Sequence, residues 1–444
     1  MAKITFMGAG STVFAKNVIG DCMCAAPLKD SHFALYDIDS ERLEDSRMML
    51  ENLNKTINEG RATITAHLGA EQRRDALRDA DFVVDAIQVG GYEPSTVVDF
   101  EIPKKYGLRQ TIADTLGVGG IMRAMRTIPV LQEFAADMEE ACPDAWFLNY
   151  VNPMSILTGF MQRYTGVKTV GLCHSVQVCA PQLLKQLDME EYLPCQWKVA
   201  GINHMGWLLE ISRDGKDLYP EIRRRAFEKN QAARQEGGEK HSDMVRYEIM
   251  RHFGYYITES SEHAAEYHPY FIKSTHPELI DEFNVPLDEY PRRCVNQIED
   301  WKKQRDELVN KTDLSHSRTH EYASGIMEAI VTDVPFEIGG NVINNGLIPN
   351  LPAEACVEVP CMCNRNGVTP CYVGPLPEQL AALNRTHINV HLVAIEAAVT
   401  RKRDTLYQAV MLDPHTRSEL ALDEIRAMVD DLIEAHGDWM PEFK

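Results

Sequence analysis

An α/β fold is what this sequence predicts, with a parallel sheet in its first half and a mixed α+β region in its second. Three observations predict it. Short apolar runs alternate with helical stretches up to about residue 195, the pattern of a parallel sheet covered by helices on both faces. Each run ends in Gly, Asp, Asn or a Cys-His pair, and such sheets bind ligands beyond the carboxyl ends of their strands. After residue 195 the alternation fades into long charged helical stretches.

Taken in order, residues 4–7 form the first strand, followed by Gly8-Ala9-Gly10-Ser11 and a helix. Residues 33–36 form the second, which ends at Asp37-Ile38-Asp39, and a helix over 40–58 follows with Ser40 as its N-cap. Residues 82–89 are apolar apart from Asp85 and Gln88 and run into Gly90-Gly91. Strands at 146–150 and 169–172 complete the set. Further on, 199–202 and 208–211 read as strands, and 219–235 and 286–310 as helices. Residues 337–370 read as strands and loops, and the tail from 377 to about 436 as helical. The expected division is a Rossmann-like nucleotide-binding domain over 1–195 and an α+β domain over 196–444. The second domain would complete the site and carry oligomer contacts.

Composition sets the class of partner. The net charge of −21 argues against nucleic acid and anionic membranes. The start MAKITFMGAG goes directly into a strand, without the basic and apolar regions of a signal peptide, so a cytoplasmic location is expected. Eleven cysteines at irregular spacing do not suggest a disulfide framework.

The Gly8-Ala9-Gly10 turn stands between a strand and a helix. There the first glycine makes the tight turn and the second lets the backbone approach a pyrophosphate. Val13 occupies the place of the third glycine. An acidic residue ending the second strand, Asp37 with Asp39 as rival, would take the adenosine ribose hydroxyls and favour NAD over NADP.

Four further segments bring polar groups to compact places: Asp114–Gly120, Leu148–Pro153, Gly171–Ser175 and Gly201–Met205. In the third, Cys173 and His174 are adjacent, and neighbours on a strand point to opposite faces. Cysteine sulfur with imidazole nitrogen suits Mn, Fe, Co, Ni or Zn. One Cys and one His leave coordination positions open for water or substrate, which suits catalysis. By residue type alone the same groups also fit a buried thiol with core histidines, or a Cys–His nucleophile pair.

The motifs GAGS (8–11), LYDID (35–39), IQVGGYEP (87–94), IADTLGVGGIMRAMRTIP (112–129), LNYVNPM (148–154), LCHS (172–175) and GINHM (201–205) resemble those of glycoside hydrolase family 4. The likeness continues through SSEHAAEY (260–267), PLDEYPRRC (286–294), NNGLIPNLP (344–352) and HGDWMP (436–441), and so spans the chain. It is strongest toward the melibiase-type α-galactosidases of that family.

The resemblance implies a lactate- and malate-dehydrogenase-like fold, bound NAD, a divalent metal (usually Mn²⁺), and dimers or tetramers. It also implies hydrolysis that is an exception to the two-carboxylate scheme: oxidation at sugar C3, deprotonation at C2, elimination of the aglycone and addition of water. On that basis Gly8, Gly10, Ser11 and Asp37 would bind NAD, and Cys173 and His204 the metal. His174 would protonate the leaving oxygen, Asn149 and Asn152 would bind substrate, and Asp114 would raise the basicity of the proton acceptor. For that acceptor, GYYITESSEHAAEY (254–267) offers Tyr256, Tyr255 and Glu262, and Ser261 stands where some relatives have an aspartate. His263 and Glu266 form either a pair supporting the site or a surface ion pair. No cation precedes Lys104 in GGYEPSTVVDFE, which favours an unphosphorylated α-galactoside. An α-galacturonidase or α-glucuronidase would call on Arg123, Arg126, Arg292 or Arg293, and a simple 2-hydroxyacid dehydrogenase is a further alternative. His387 and His391, at i and i+4, read as structural histidines.

Overall fold

The computed structural model describes all residues, 1–444. Its strands are β1 (Lys3–Met7), β2 (His32–Asp37), β3 (Thr63–Leu68), β4 (Phe82–Asp85), β5 (Trp146–Asn149) and β6 (Lys168–Leu172) in the first part. The second part adds β7 (Gln196–Ile202), β8 (Met205–Arg213), β9 (Lys216–Asp217), β10 (Tyr256–Ile257), β11 (Phe336–Ile343), β12 (Cys356–Asn364) and β13 (Gly367–Pro370). All thirteen belong to one sheet, ordered β10-β8-β7-β12-β11-β6-β5-β4-β1-β2-β3, with β13 on β12 and β9 on β8. The stretch from β3 to β6 is parallel; beyond it every pairing is antiparallel.

Side-chain alternation explains the two covered faces. Ile4 and Phe6 of β1 join Phe33, Leu35, Val84 and Leu148 in one core. Met7 joins Val83 and Phe147 in the other, beneath helix Gly117–Ala141 and helix Met154–Tyr164. At the start of the site, Gly8 has φ 84°, and a Cβ there would lie 2.7 Å from the Ala86 carbonyl oxygen. Only glycine lets the turn after β1 come this close to the chain leaving β4.

Three details depart from the sequence reading. The N-cap of helix Ser40–Ile57 is Asp39, whose Oδ1 accepts from the backbone N–H of Glu41 and Arg42; a carboxylate there also suits the helix dipole. The run 82–89 is strand only to Asp85. Edge strand β3 was not anticipated, because its alternating TITAHL lacks a continuous apolar run. No helix is long and apolar enough to cross a membrane.

Candidate active site

Cys173 and His204 leave the ends of β6 and β7, two strands that are not neighbours: β11 and β12 lie between them. Even so, His204 Nε2 stands 3.1 Å from Cys173 Sγ. A third group joins them. The β10–β8 pairing sets Ile257 opposite Trp207, and the Thr258 N–H donates to the Gly206 carbonyl. The next residue, Glu259, therefore reaches the cluster. Its Oε2 lies 3.7 Å from His204 Nε2 and 3.9 Å from Cys173 Sγ. The three ligand atoms fall within 4.8 Å of one another. Glu259 adopts φ 68°, a left-handed conformation that costs a non-glycine residue about 1–3 kcal/mol and tends to mark functional positions.

The other face of His204 is fixed. Thr115 Oγ1 donates to Asp114 Oδ1 at 2.8 Å and stands 3.0 Å from His204 Nδ1. With its single hydrogen spent on the carboxylate, the hydroxyl accepts from Nδ1–H. When the ring carries only that proton, Nε2 presents a lone pair to Cys173 and Glu259, the arrangement found behind metal-bound histidines. Burial pulls the His204 imidazolium down, but the charges on Cys173, Glu259 and Asp114 outweigh it and carry the pKa to about 10. Sulfur, imidazole and carboxylate together match a borderline divalent ion.

The loop that presents Asp114 and Thr115 is held from behind by Glu266, which accepts from the backbone N–H of Ala113 at 3.0 Å and of Thr111 at 3.3 Å. Burial pushes the Glu266 carboxyl up to about 8 against those bonds. His263 and Glu266 are thus neither an ion pair nor on the surface. The His263 ring lies 5.0 Å from the His204 ring, with Nδ1 on Ser260 Oγ at 2.6 Å. Gly120 is needed nearby, since a Cβ would meet the Thr115 carbonyl carbon at 2.7 Å.

His174 turns away from the cluster. Its side chain is 44% exposed, and Nε2 lies 2.6 Å from Glu321 Oε2. That hydrogen bond raises the imidazole pKa against the opposing effect of burial. Tyr322 donates its hydroxyl to the Cys173 carbonyl at 2.8 Å. The His174 ring lies 5.9 Å from that of Tyr150, which in turn lies 4.9 Å from Phe14 in the first turn after the glycine loop. One rim therefore carries both the glycine loop and the cluster.

On that loop, the Gly10 N–H donates to Asp37 Oδ2 at 2.6 Å, Ser11 Oγ is buried without a partner, and Ile38 is 73% exposed. An unpaired hydroxyl at a helix start, an acid at the strand end and a bare apolar side chain beside it match the needs of pyrophosphate, ribose and adenine. Asp39 is occupied as a helix cap.

The remaining expected residues divide. Asn152 lies in the site: its Nδ2 donates to Asp114 Oδ2 at 3.1 Å, and its Oδ1 is buried without a partner. Asn149 does not reach the cleft. It is fully buried, donating to the Val151 carbonyl and Thr158 Oγ1 and accepting from the Val151 N–H. It shapes the turn that presents Asn152. Tyr256 is also fully buried and donates to Asp243 Oδ2 at 2.6 Å, with Arg246 over its ring. Tyr255 packs on Tyr219, and Glu262 accepts from Arg293. None of these three is among the groups that meet at Cys173 and His204. Sequence reasoning missed Glu259, Glu321 and Thr115. The available signal for Glu259 was its place just past a short apolar run, inside the stretch already singled out.

The chain matches the family model described as family 4 glycosyl hydrolase over residues 3–189 and that of its C-terminal domain over 199–416. It is 62% identical over 444 residues to an α-galactosidase of Bacillus subtilis (strain 168), covering 100% of both chains. It is 32% identical to an α-galactosidase of Rhizobium meliloti (strain 1021), covering 99% of this chain and 89% of the relative. A 6-phospho-α-glucosidase from gut microorganisms, solved in complex with NAD and Mn²⁺, shares its fold at a TM-score of 0.79 and 20% identity, with full coverage of both chains. The chain belongs to family 4 of the glycosyl hydrolases.

Proposed function

We propose that the protein is an NAD- and divalent-metal-dependent α-galactosidase acting on unphosphorylated, melibiose-like α-galactosides. The observation that carries this reading is the Cys173–His204–Glu259 cluster, set on the same rim as a glycine loop with an unpaired Ser11 hydroxyl. Identity of 62% with an α-galactosidase along the whole chain supports the substrate class. When bound, NAD supplies a hydride acceptor for a sugar carbon, and a divalent cation such as Mn²⁺ supplies an electrophile for the neighbouring oxygen.

Cys173, His204 and Glu259 would hold the metal, and Gly8, Gly10, Ser11 and Asp37 the dinucleotide. His174 donates its proton to the departing glycosidic oxygen, with the Glu321 hydrogen bond raising its pKa. Glu259 Oε2 faces Cys173 and His204, and Oε1, on the His263 side at 3.8 Å, takes the C2 proton. Burial works against its ionisation, but His263, His204 and Arg246 hold its carboxyl below the usual range, so it stands ready as an acceptor. Asp114 steadies Thr115 and Asn152, and the free Asn152 Oδ1 is placed to accept from a sugar hydroxyl.

Charge supports an uncharged sugar. Lys104 is paired with Glu101 and Asp288, Arg126 with Asp99, Arg292 with Glu289, and Arg293 with Glu289 and Glu262. A second reading, α-galacturonidase, is favoured by one residue. Arg123 donates to the Asn152 carbonyl and to the Tyr290 hydroxyl, and no carboxylate pairs with it. The net charge of −21 supports a small substrate over nucleic acid or anionic membrane, and a cytoplasmic homo-oligomer remains the proposal for assembly.

A panel of aryl α-glycosides, assayed with and without NAD⁺, Mn²⁺ and thiol, tests the reading. Galactose is expected only with all three present, with no net NADH and with solvent deuterium at C2 of the product. Activity that survives complete removal of NAD would refute it. Preference for the galacturonide would select the second reading.

A further inference from the structure

The strands that carry Cys173 and His204 are held apart by β11 and β12, and one transverse row of residues crosses all four. The pairings set Gly171 of β6 opposite Asn341 of β11, Asn341 opposite Glu358 of β12, and Glu358 opposite Gly201 of β7. Gly171 lies two residues before Cys173, and Gly201 three before His204. The two outer positions carry no side chain. A Cβ on Gly171 would fall 2.8 Å from the Asn341 Cβ, and one on Gly206 would fall 3.3 Å from Glu358 Oε2.

Asn341 and Glu358 are polar and out of contact with water. Asn341 is fully buried, and Glu358 is 1% exposed. Glu358 Oε1 accepts from Asn341 Nδ2 at 3.1 Å and from Asn203 Nδ2 at 3.2 Å, and Asn341 Nδ2 also reaches the Gly171 carbonyl at 3.3 Å. Asn203 is the residue immediately before His204. One carboxylate oxygen is thus the common acceptor for two amides, one tied to the cysteine strand and one to the histidine turn. No Lys or Arg pairs with Glu358, and its Oε2 has no partner, like Asn203 Oδ1 and Asn341 Oδ1.

On stability grounds this is a poor use of a central sheet position. A buried carboxylate without a cation pays heavily for lost water, and apolar residues of similar volume often do better there. What an apolar pair lacks is direction. Hydrogen bonds fix the lateral spacing of β6 and β7 and the turn of the 203–204 peptide, where van der Waals contact would let them slide.

We propose that Glu358 is a positioning residue for the metal centre: through Asn341 and Asn203 it sets the separation of Cys173 and His204. The proposal rests on the reading that those two residues hold a divalent metal. Replacing the Oε1 acceptor should therefore change how the pair grips a metal without removing either ligand.

Co²⁺ added to the full-length, metal-free protein is the probe, because a thiolate–Co²⁺ bond gives a charge-transfer absorption that reports the ligand geometry. Native protein is expected to show the band, and Cys173→Ser to lose it. Glu358→Leu is expected to shift the band and to weaken Co²⁺ binding by about tenfold or more, the range seen when groups behind metal ligands are removed. Glu358→Gln keeps an Oε1 acceptor and is expected to restore both. A native protein without the band would overturn the metal-site reading and the inference together. A native band with unchanged position and affinity in Glu358→Leu would overturn the role of Glu358 and leave the metal site standing. If Glu358→Leu shows no cooperative thermal unfolding, Asn341→Ala decides by the same two readouts: weaker Co²⁺ binding upholds the proposal, and unchanged binding overturns it.

Discussion

Glu321 Oε2 lies 2.6 Å from His174 Nε2, although 147 positions separate the two in sequence. The carboxylate orients the imidazole and raises its pKa, which a proton donor in neutral water requires. Glu321→Gln should lower kcat by at least about tenfold, within the usual contribution of acid–base catalysis. The loss should be largest for substrates with poor leaving groups. A donor of lowered pKa loses its proton sooner as pH rises, so the alkaline limb of the rate profile should move to lower pH. Rate profiles with activated and unactivated galactosides would check both.

In the proposed metal site, Thr115 acts through the far nitrogen of His204, which lies 3.0 Å from its Oγ1. Thr115→Val removes that acceptor at nearly constant volume. Mn²⁺ affinity should fall by about 10–100-fold, measurable by metal titration of the purified protein, with a stability loss of about 1–3 kcal/mol for the buried groups left unpaired.

Glu259 and Tyr256 make opposite predictions. Glu259→Ala should abolish incorporation of solvent deuterium at C2 of a bound galactoside. Tyr256→Phe should leave incorporation intact and cost stability instead, about 1.5–3 kcal/mol for a hydrogen bond to a charged group. Mass spectrometry of recovered sugar and chemical denaturation separate the two.

Asp99 sits between Arg126 and His436, at 2.6 Å and 2.9 Å, with all three side chains at 3% exposure or less. Asp99→Ala would strand a buried guanidinium. The expected cost is about 3–5 kcal/mol, read as a lower midpoint in urea.

The buried histidines make the fold sensitive to acid. Burial lowers His268 to about 4 and His391 to about 3, from an ordinary value of 6.5. Both ring nitrogens of His391 lack partners. Below pH 6.5 the unfolded chain binds protons at these positions that the folded chain refuses. Their stability is fully present above pH 6.5 and is lost as pH falls through about 4 for His268 and about 3 for His391. His391→Leu should flatten this decline in melting temperature, and an unchanged slope would assign it to other groups.

Much of this molecule was legible because function sits at strand ends. Cys173, His174, His204, Asp37 and Gly8 all follow apolar runs, so the pattern that predicts the sheet also predicts its rim. Glu259 was harder to see, because β10, which delivers it, is only two residues long. Glu321 comes from irregular chain between helix Glu289–Asn310 and helix Ala323–Thr332, where periodicity says nothing. Tyr256 and Asn149 misled for one reason. A polar side chain in a functional stretch can be spent on an internal contact, with Asp243 for Tyr256 and with the Val151 backbone for Asn149, and only the hydrogen bonds reveal it.

The strand order β6-β11-β12-β7 also sets a timetable for synthesis. When residue 204 leaves the ribosome, Cys173 and His204 have both been made, but the two strands that will space them have not. β12 ends at Asn364, so a nascent chain shorter than that contains the residues of β1 to β6 but lacks part of the strands that space Cys173 and His204. At the proposed metal site, loading would wait until β11 and β12 are made, and prematurely terminated chains would carry Cys173 and His204 without the strands that space them.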